Sequence, residues 1–214
     1  MRIIAGAKKG MSLFTPKTMV SRPITDRVKE SLFDVLYNYD LPEGKIVADL
    51  FCGVGSLGLE ALSRGAEFVA FVEKDHKIIE ILNRNIEKAG FVKESKVVRA
   101  NAFKTGVPPA AAAEISNPSA SLRTGLKFQI SDFKGYDLVF VDPPYADTKN
   151  VKKDSPLGRL LDILSGQVTT DGIVVVRTDS RIFLMEHYGC FQMIDRRLWG
   201  SMAVTILRVE KHDE

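Results

Sequence analysis

Cysteine, histidine and tryptophan are all scarce in this chain, and each scarcity narrows its chemistry. Only Cys52 and Cys190 occur among 214 residues. Cys52 lies beside a glycine-rich turn, which argues against a structural disulfide and makes the cytoplasm the expected compartment. His76, His187 and His212 are scattered, with no cysteine or carboxylate cluster at ligand spacing, so no metal site is expected. No apolar run approaches membrane-spanning length, and Met1-Arg2-Ile3-Ile4-Ala5-Gly6 lacks a signal-peptide layout. The single tryptophan, Trp199 beside Gly200, is expected to pack in a hairpin near the C-terminus. A large excess of one charge is also missing, since 30 Lys and Arg face 27 Asp and Glu. The balance is nonetheless uneven. Residues 1–30 hold seven cations (Arg2, Lys8, Lys9, Lys17, Arg22, Arg27 and Lys29) against Asp26 and Glu30. A basic N-terminal extension on a near-neutral body suggests contact with a polyanion.

What is present is the makings of one α/β domain: a hydrophobic content of 45% in a chain of this length supports a sizeable core. Arg2-Ile3-Ile4-Ala5-Gly6 and Met11-Ser12-Leu13-Phe14 predict a short hairpin with Lys8, Lys9 and Gly10 at its tip. A helix follows from Thr25-Asp26 to about Tyr39, with Val28, Leu32, Val35 and Leu36 on one face. From Lys45 the pattern alternates. Strands are expected near 46–50, 68–72, 96–99, 136–141, 172–177 and 203–209, and helices near 56–64, 75–89 and 156–165. Alternation of this kind implies a mostly parallel sheet with helices on both faces. Residues 1–40 read as an N-terminal hairpin and helix, and 41–214 as the main domain. The Ala-, Ser- and Pro-rich stretch 107–131 reads as a mobile insertion.

Two motifs carry the chemistry. The apolar run Tyr136-Asp137-Leu138-Val139-Phe140-Val141 ends in Asp142-Pro143-Pro144-Tyr145. Asp142 is an acceptor for an exocyclic amine, and two consecutive prolines can leave the Pro143 carbonyl open as a second acceptor. Tyr145 offers a face on which a flat base can stack. The second motif runs from Val47 to Leu62 as strand, glycine turn and helix. Gly53 and Gly55 allow positive φ and close approach of a ligand, while Gly58 allows tight packing of helix on strand. Glu73, 20 residues after Gly53, ends the next predicted strand where an acid can bind ribose hydroxyls. That much also fits NAD. Asp49 favours S-adenosylmethionine, because a carboxylate before the glycines attracts an ammonium, directly or through water, and repels a pyrophosphate. Asp49, Glu73, Asn101 and Asp142 all fall at or just past predicted strand ends, where open α/β sheets bind ligands.

Together these segments resemble the class I S-adenosylmethionine-dependent methyltransferases. More closely, the chain resembles the RsmD-like family that methylates a guanine N2 amine in 16S ribosomal RNA. The likeness rests on Arg2-Ile3-Ile4-Ala5-Gly6, Arg22-Pro23-Ile24-Thr25-Asp26-Arg27-Val28, Asp49 to Gly58, Asn101-Ala102 and Val141 to Tyr145. It implies a Rossmann-like, seven-stranded sheet with an antiparallel C-terminal hairpin, here Tyr188 to Ile194 and Met202 to Val209. It implies Asp142, Pro143 and Tyr145 as catalytic residues. Asp49, Phe51, Gly53, Gly55, Gly58, Glu73, Asn101 and Ala102 would hold the cofactor. Arg2, Lys8, Lys9, Arg22 and Arg27 would contact RNA, although Arg27 and Glu30, three apart on a helix, equally suit a structural pair. The implied partner is 16S rRNA, in the small subunit or its assembly intermediate, and a monomer is the default. Two features depart from the family: Asn101 stands where related enzymes often carry Asp, and the 107–131 insertion is long.

Rival readings are a DNA adenine-N6 or protein glutamine methyltransferase, an NAD-dependent oxidoreductase, and a silent RNA-binding module. The protein enzymes usually carry Asn in place of Asp142, and the DNA enzymes usually bring a separate recognition domain. An oxidoreductase leaves Asp142-Pro143-Pro144-Tyr145 without a role.

Overall fold

The computed structural model describes residues 1–16, 24–107 and 133–210. The expected alternation is present: β1 (Ile46–Leu50), α2 (Ser56–Ser63), β2 (Phe68–Glu73), α3 (His76–Ala89), β3 (Ser95–Arg99), a short α4 (Ala102–Thr105) and β4 (Tyr136–Val141). Then come α5 (Pro156–Ser165), β5 (Val168–Asp179), β6 (His187–Tyr188), β7 (Phe191–Trp199) and β8 (Met202–Val209), while α1 (Asp26–Tyr37) precedes β1. One sheet holds all the strands in the order β3-β2-β1-β4-β5-β8-β7-β6. The first five are mutually parallel, and β8 lies antiparallel between β5 and β7.

The sheet has eight strands rather than seven. Tyr188, 1% exposed, anchors the extra two-residue strand β6 through its hydroxyl, which donates to the Val151 carbonyl at 2.5 Å and accepts from Met185 N. Gly189, at φ +57°, then turns the chain into β7. The C-terminal hairpin is correspondingly Phe191–Trp199 with Met202–Val209, not Tyr188 to Ile194. It closes at the Trp199–Met202 pair around Gly200, whose φ of +61° suits a two-residue turn. Trp199 packs there against the core, as its sequence position suggested.

Helix boundaries follow their caps. The Thr25 hydroxyl accepts from Val28 N, Asp75 from Lys77 N at 2.8 Å, and Ser155 from Gly158 N, with Pro156 in the first turn. Gly90 ends α3 in the left-handed region. Two apolar layers cover the sheet. Leu32, Phe33, Leu57, Phe71, Leu82 and Phe140 fill one, and Val72, Val139, Leu157, Leu161, Leu164 and Phe191 fill the other. Among the described residues no helix is long and apolar enough to cross a membrane.

The predicted N-terminal hairpin is less regular than expected. Its strand pairing shrinks to one bridge, Arg2 with Ser12, and a 3-10 turn at Gly6–Lys8 bends the connection. The reason is its seat on α2. Gly6 lies so close that a Cβ would fall 1.7 Å from the Ser63 carbonyl oxygen, while Lys8 N donates to the Ser63 hydroxyl. The arm therefore shares the main core, with Ile3 fully buried.

Its anchor is a buried charge cluster. Glu60 of α2, with no solvent exposure, accepts from Ile4 N at 2.7 Å and Ala5 N at 3.0 Å. It also pairs with Lys29 of α1 at 3.1 Å and Arg64 at 2.9 Å. Lys29 Nζ donates further to the Arg2 carbonyl at 2.6 Å. Burial pulls the Lys29 ammonium below its ordinary pKa, and Glu60 opposes that pull. Removing one partner of such a cluster strands the others. Glu60→Ala is expected to lose about 3–5 kcal/mol in urea denaturation. Lys29→Met should lose less, because Glu60 keeps Arg64 and two backbone donors. The opposite ranking would mean that Lys29, not Glu60, holds the arm.

Candidate active site

Because β3, β2, β1, β4 and β5 run parallel, their carboxyl ends share one edge of the sheet. Register sets the polar residues there side by side. Leu50 is level with Val72 and Val141, Glu73 with Arg99, and Val141 with Val176. Asp49, Glu73, Asn101 and Asp142 thus come together, as their positions at predicted strand ends required. The order of strands reverses about β1 and β4, the place where such sheets open a crevice.

The turn after β1 is built around close approach. Phe51 takes φ +59°, a strained backbone for a bulky residue, followed by Gly53 at +55° and Gly55 at +85°. Gly58 N donates to Asp49 Oδ2 at 2.8 Å, locking the turn to its strand. A Cβ on Gly58 would stand 2.3 Å from the Phe71 ring, so only glycine admits this helix at this distance. Glu73 secures the far side. Its Oε2 accepts from Gly53 N at 3.1 Å, and its Oε1 accepts from Lys74 N and Asp75 N. Carboxylate oxygens have about four acceptor positions, so capacity for a hydroxyl remains.

Asn101 caps α4 by accepting from Phe103 N at 3.1 Å. Any further donor to that oxygen would share it with Phe103 N. Ala102 is buried behind it. Phe103 leans on Phe51, with ring centroids 4.7 Å apart, and makes an apolar wall beside Glu73 and Asn101. This set suits a nucleoside carrying an ammonium. It offers a buried acid before the turn, an acid at ribose position, and an aromatic wall next to an amide.

Across β1, Asp142 follows β4 and is about one-fifth exposed at its side chain (20%). Its Oδ1 lies 2.5 Å from Nε of Arg177, which is itself only 8% exposed on β5. The same guanidinium stands 5.9 Å from the centre of the Tyr145 ring. Burial lifts the Asp142 carboxyl to about 6, with Arg177 pulling the other way. Asp49 is lifted further, to about 8, by burial, while the Gly58 N–H opposes and the Asp142 and Glu73 charges add. Among the described residues no donor reaches the Pro143 carbonyl, whereas that of Pro144 accepts from Asp147 N at 2.9 Å. The two prolines thus leave one acceptor open beside Asp142.

The RNA-contact candidates lie on the arm and α1. Arg2 pairs with Asp26 at 2.7 Å, and no ion pair between Arg27 and Glu30 is present among the described residues. Lys8 stands over the Phe91 ring, Lys9 and Arg27 are exposed, and Arg22 lies outside the described residues. The 107–131 insertion, beyond Val107, also lies outside them.

Sequence reasoning missed Arg177 and Phe103. A lone cation closing the run Ile173-Val174-Val175-Val176 was a usable signal, since a central strand does not bury a charge without a partner. A cavity of about 320 Å³ between α3 and β3 is lined by Ile79, Asn83, Val97 and Arg99 among others and includes none of these site residues.

Comparison with known proteins places this arrangement. The sequence model of the family described as Conserved hypothetical protein 95 matches residues 1–208. The Bacillus subtilis (strain 168) protein named "Putative rRNA methyltransferase YlbH" is 33% identical over 97% of this chain and 98% of its own. Ribosomal RNA small subunit methyltransferase D of Haemophilus influenzae is 35% identical over 68% of this chain and 64% of its own. Among solved structures, the Escherichia coli protein named "Putative methyltransferase yhhF" superposes with a TM-score of 0.71 at 25% identity, covering 98% of each chain. The glycine turn, the Asp142 turn and the basic arm all lie inside the matched span, and on that match the chain belongs to the Conserved hypothetical protein 95 family, the RsmD-like methyltransferases.

Proposed function

We propose that this chain methylates the exocyclic N2 amine of a guanine in small-subunit ribosomal RNA, with S-adenosylmethionine as donor. One observation carries the reading. Asp142 and the open Pro143 carbonyl stand together beside Tyr145, on the same sheet edge as the Asp49, Gly53 and Glu73 turn. Relatives named as rRNA and small-subunit rRNA methyltransferases support the RNA substrate. Asp49, Phe51, Gly53, Gly55, Gly58, Glu73, Asn101 and Ala102 would hold the cofactor, which when bound supplies an electrophilic methyl carbon on a sulfonium.

The residues act on the acceptor. A guanine N2 lone pair is delocalised into the ring and attacks poorly. Arg177 occupies Oδ1 of Asp142, so Oδ2 is the oxygen that takes one amine hydrogen. The Pro143 carbonyl takes the other. Held at both hydrogens, the nitrogen turns its lone pair out of the ring plane and toward the donor, while the carboxylate stabilises the charge that grows on nitrogen. With the donor bound, an N–C bond would form as its methyl–sulfur bond broke, and the methylated amine would give its proton to solvent. Tyr145 stacks on a base that is unpaired or flipped from its helix. Arg2, Lys8, Lys9, Arg22 and Arg27 are proposed to hold phosphates, on naked 16S rRNA or on the assembling particle. We place the enzyme in the cytoplasm as a monomer.

The direct test is transfer of a labelled methyl group to small-subunit particles and naked 16S rRNA from cells lacking this protein, followed by nucleoside analysis. N2-methylguanosine is expected. Transfer to neither acceptor, with cofactor binding intact, would redirect the search to DNA or protein. Asp142→Ala should lower turnover by about 10²–10³ and leave S-adenosylhomocysteine affinity unchanged by calorimetry; normal turnover would sink the mechanism.

The pH profile offers a separate check. The acceptor role needs the carboxylate, so turnover should rise with pH through a midpoint near 6, the value burial imposes on Asp142. Arg177 opposes that shift, and Asp49 and Glu73 are the other acids along this edge, with Asp49, raised to about 8, largely protonated where Asp142 titrates. Arg177→Met should therefore move the acid limb to higher pH, costing more activity at neutral than at alkaline pH. An unmoved limb would show that Arg177 does not set the state of Asp142.

A further inference from the structure

We infer a second RNA-docking surface, formed by Phe14 of the N-terminal arm with Arg84 and Lys88 of α3, that takes an unpaired base and its flanking phosphates. The inference rests on the RNA reading above and adds residues that reading does not use. Phe14 is 39% exposed, unusual for a phenylalanine, yet its backbone is fixed at both polar atoms. Fully buried Asn85 accepts from Phe14 N at 2.7 Å and donates to Phe14 O at 3.1 Å. The same amide donates to Val54 O at 3.0 Å, inside the glycine turn. The buried Asn85 thereby fixes the backbone that carries the ring, and more than a third of Phe14 stays exposed at the surface. A stacking platform requires that placement.

The charges around the ring point the same way. The Arg84 guanidinium lies 4.4 Å and the Lys88 ammonium 4.7 Å from its centre, and Lys88 also donates to the Ser12 carbonyl at 2.6 Å. They sit four residues apart on one face of α3, about 6 Å along its axis, near the reach of adjacent phosphates. Among the described residues, no carboxylate lies within ion-pair distance of Arg84 or Lys88. Two fixed, unneutralised cations beside an exposed aromatic ring match a single strand, which offers π-faces and phosphates together; a duplex offers no base face. Through the Asn85 amide the surface is joined to Val54 of the glycine turn.

The test is binding of a fluorescent single-stranded ribo-oligonucleotide across a salt series, with S-adenosylhomocysteine binding measured alongside. Arg84→Glu with Lys88→Glu should weaken RNA binding and flatten the log affinity against log salt by about 1.4, the value for two lost single-strand phosphate contacts. Phe14→Ala should weaken binding about tenfold with the slope unchanged. S-adenosylhomocysteine affinity should stay constant in both, which also reports an intact fold. Wild-type affinity and slope in the charge-reversal variant, which changes only exposed side chains, would overturn the surface while leaving the RNA reading standing. Failure of the wild-type protein to bind RNA would overturn both. Loss of binding to the small-subunit particle with unaltered binding to RNA would assign the surface to a protein and likewise overturn the proposal.

Discussion

Glu60 has no contact with solvent, yet three stretches of chain close on it. It joins the first residues of the arm through two backbone N–H groups, α1 through Lys29, and the end of its own helix through Arg64. Burying one carboxylate is costly unless it is paired and hydrogen-bonded, and here four donors satisfy it. The arrangement explains why an arm with a single strand bridge is ordered at all. Ile3 and Leu13 bury apolar surface in the main core, and the charge beneath the arm fixes its direction. Lys29 also reaches the Ser56 carbonyl at 3.4 Å, so the same cluster touches the first residue of α2, next to Gly55. The element expected to meet RNA and the turn expected to meet the donor thus share one foundation.

Above that foundation, two carboxylates on neighbouring strands are held differently. Asp49 is sealed beneath the glycine turn and bound by Gly58 N, and its carboxyl is pushed up to about 8. Asp142 keeps some solvent access and an arginine, and stops at about 6. The nearer a carboxyl sits to neutrality, the more its charge depends on what binds beside it. Asp49 is therefore suited to a cationic neighbour that restores its charge, and Asp142 to an amine that needs only an acceptor. Burial raises both, the Asp142 and Glu73 charges add to the rise at Asp49, and the direct Arg177 contact restrains it at Asp142.

Much of this was legible beforehand because it depends on pattern. Parallel strands and caps follow periodicity, so β1, β4 and α5 lie where the apolar runs and Thr, Asp or Ser signals put them. Residues at strand ends converge as a consequence of topology, so Glu73 and Asp142 needed no knowledge of distance. What stayed hidden depends on contacts between distant segments. The two-residue β6 exists because Tyr188 finds the Val151 carbonyl, which no local window contains. The arm loses strand pairing because Gly6 meets Ser63. Lys29 counts in sequence only as one cation of the basic N-terminal stretch, and its burial beside Glu60 follows from the arm laid across them. Arg177 left a trace, a charge in an apolar strand, whose partner emerged only from the register of β4 and β5.

Phe51 illustrates a tension between durability and competence. A left-handed backbone at a bulky residue costs roughly 1–2 kcal/mol relative to glycine, and the molecule carries that strain whether or not it is working. Glycine there would relax the turn. It would also remove the ring that meets Phe103 and walls the side of the crevice nearest Asn101. Selection for heat resistance alone would favour the relaxed turn, and selection for ligand recognition would keep the strained one. A sturdier version of this enzyme is therefore to be sought in its arm and helices, away from the turn where ideal geometry and usefulness conflict.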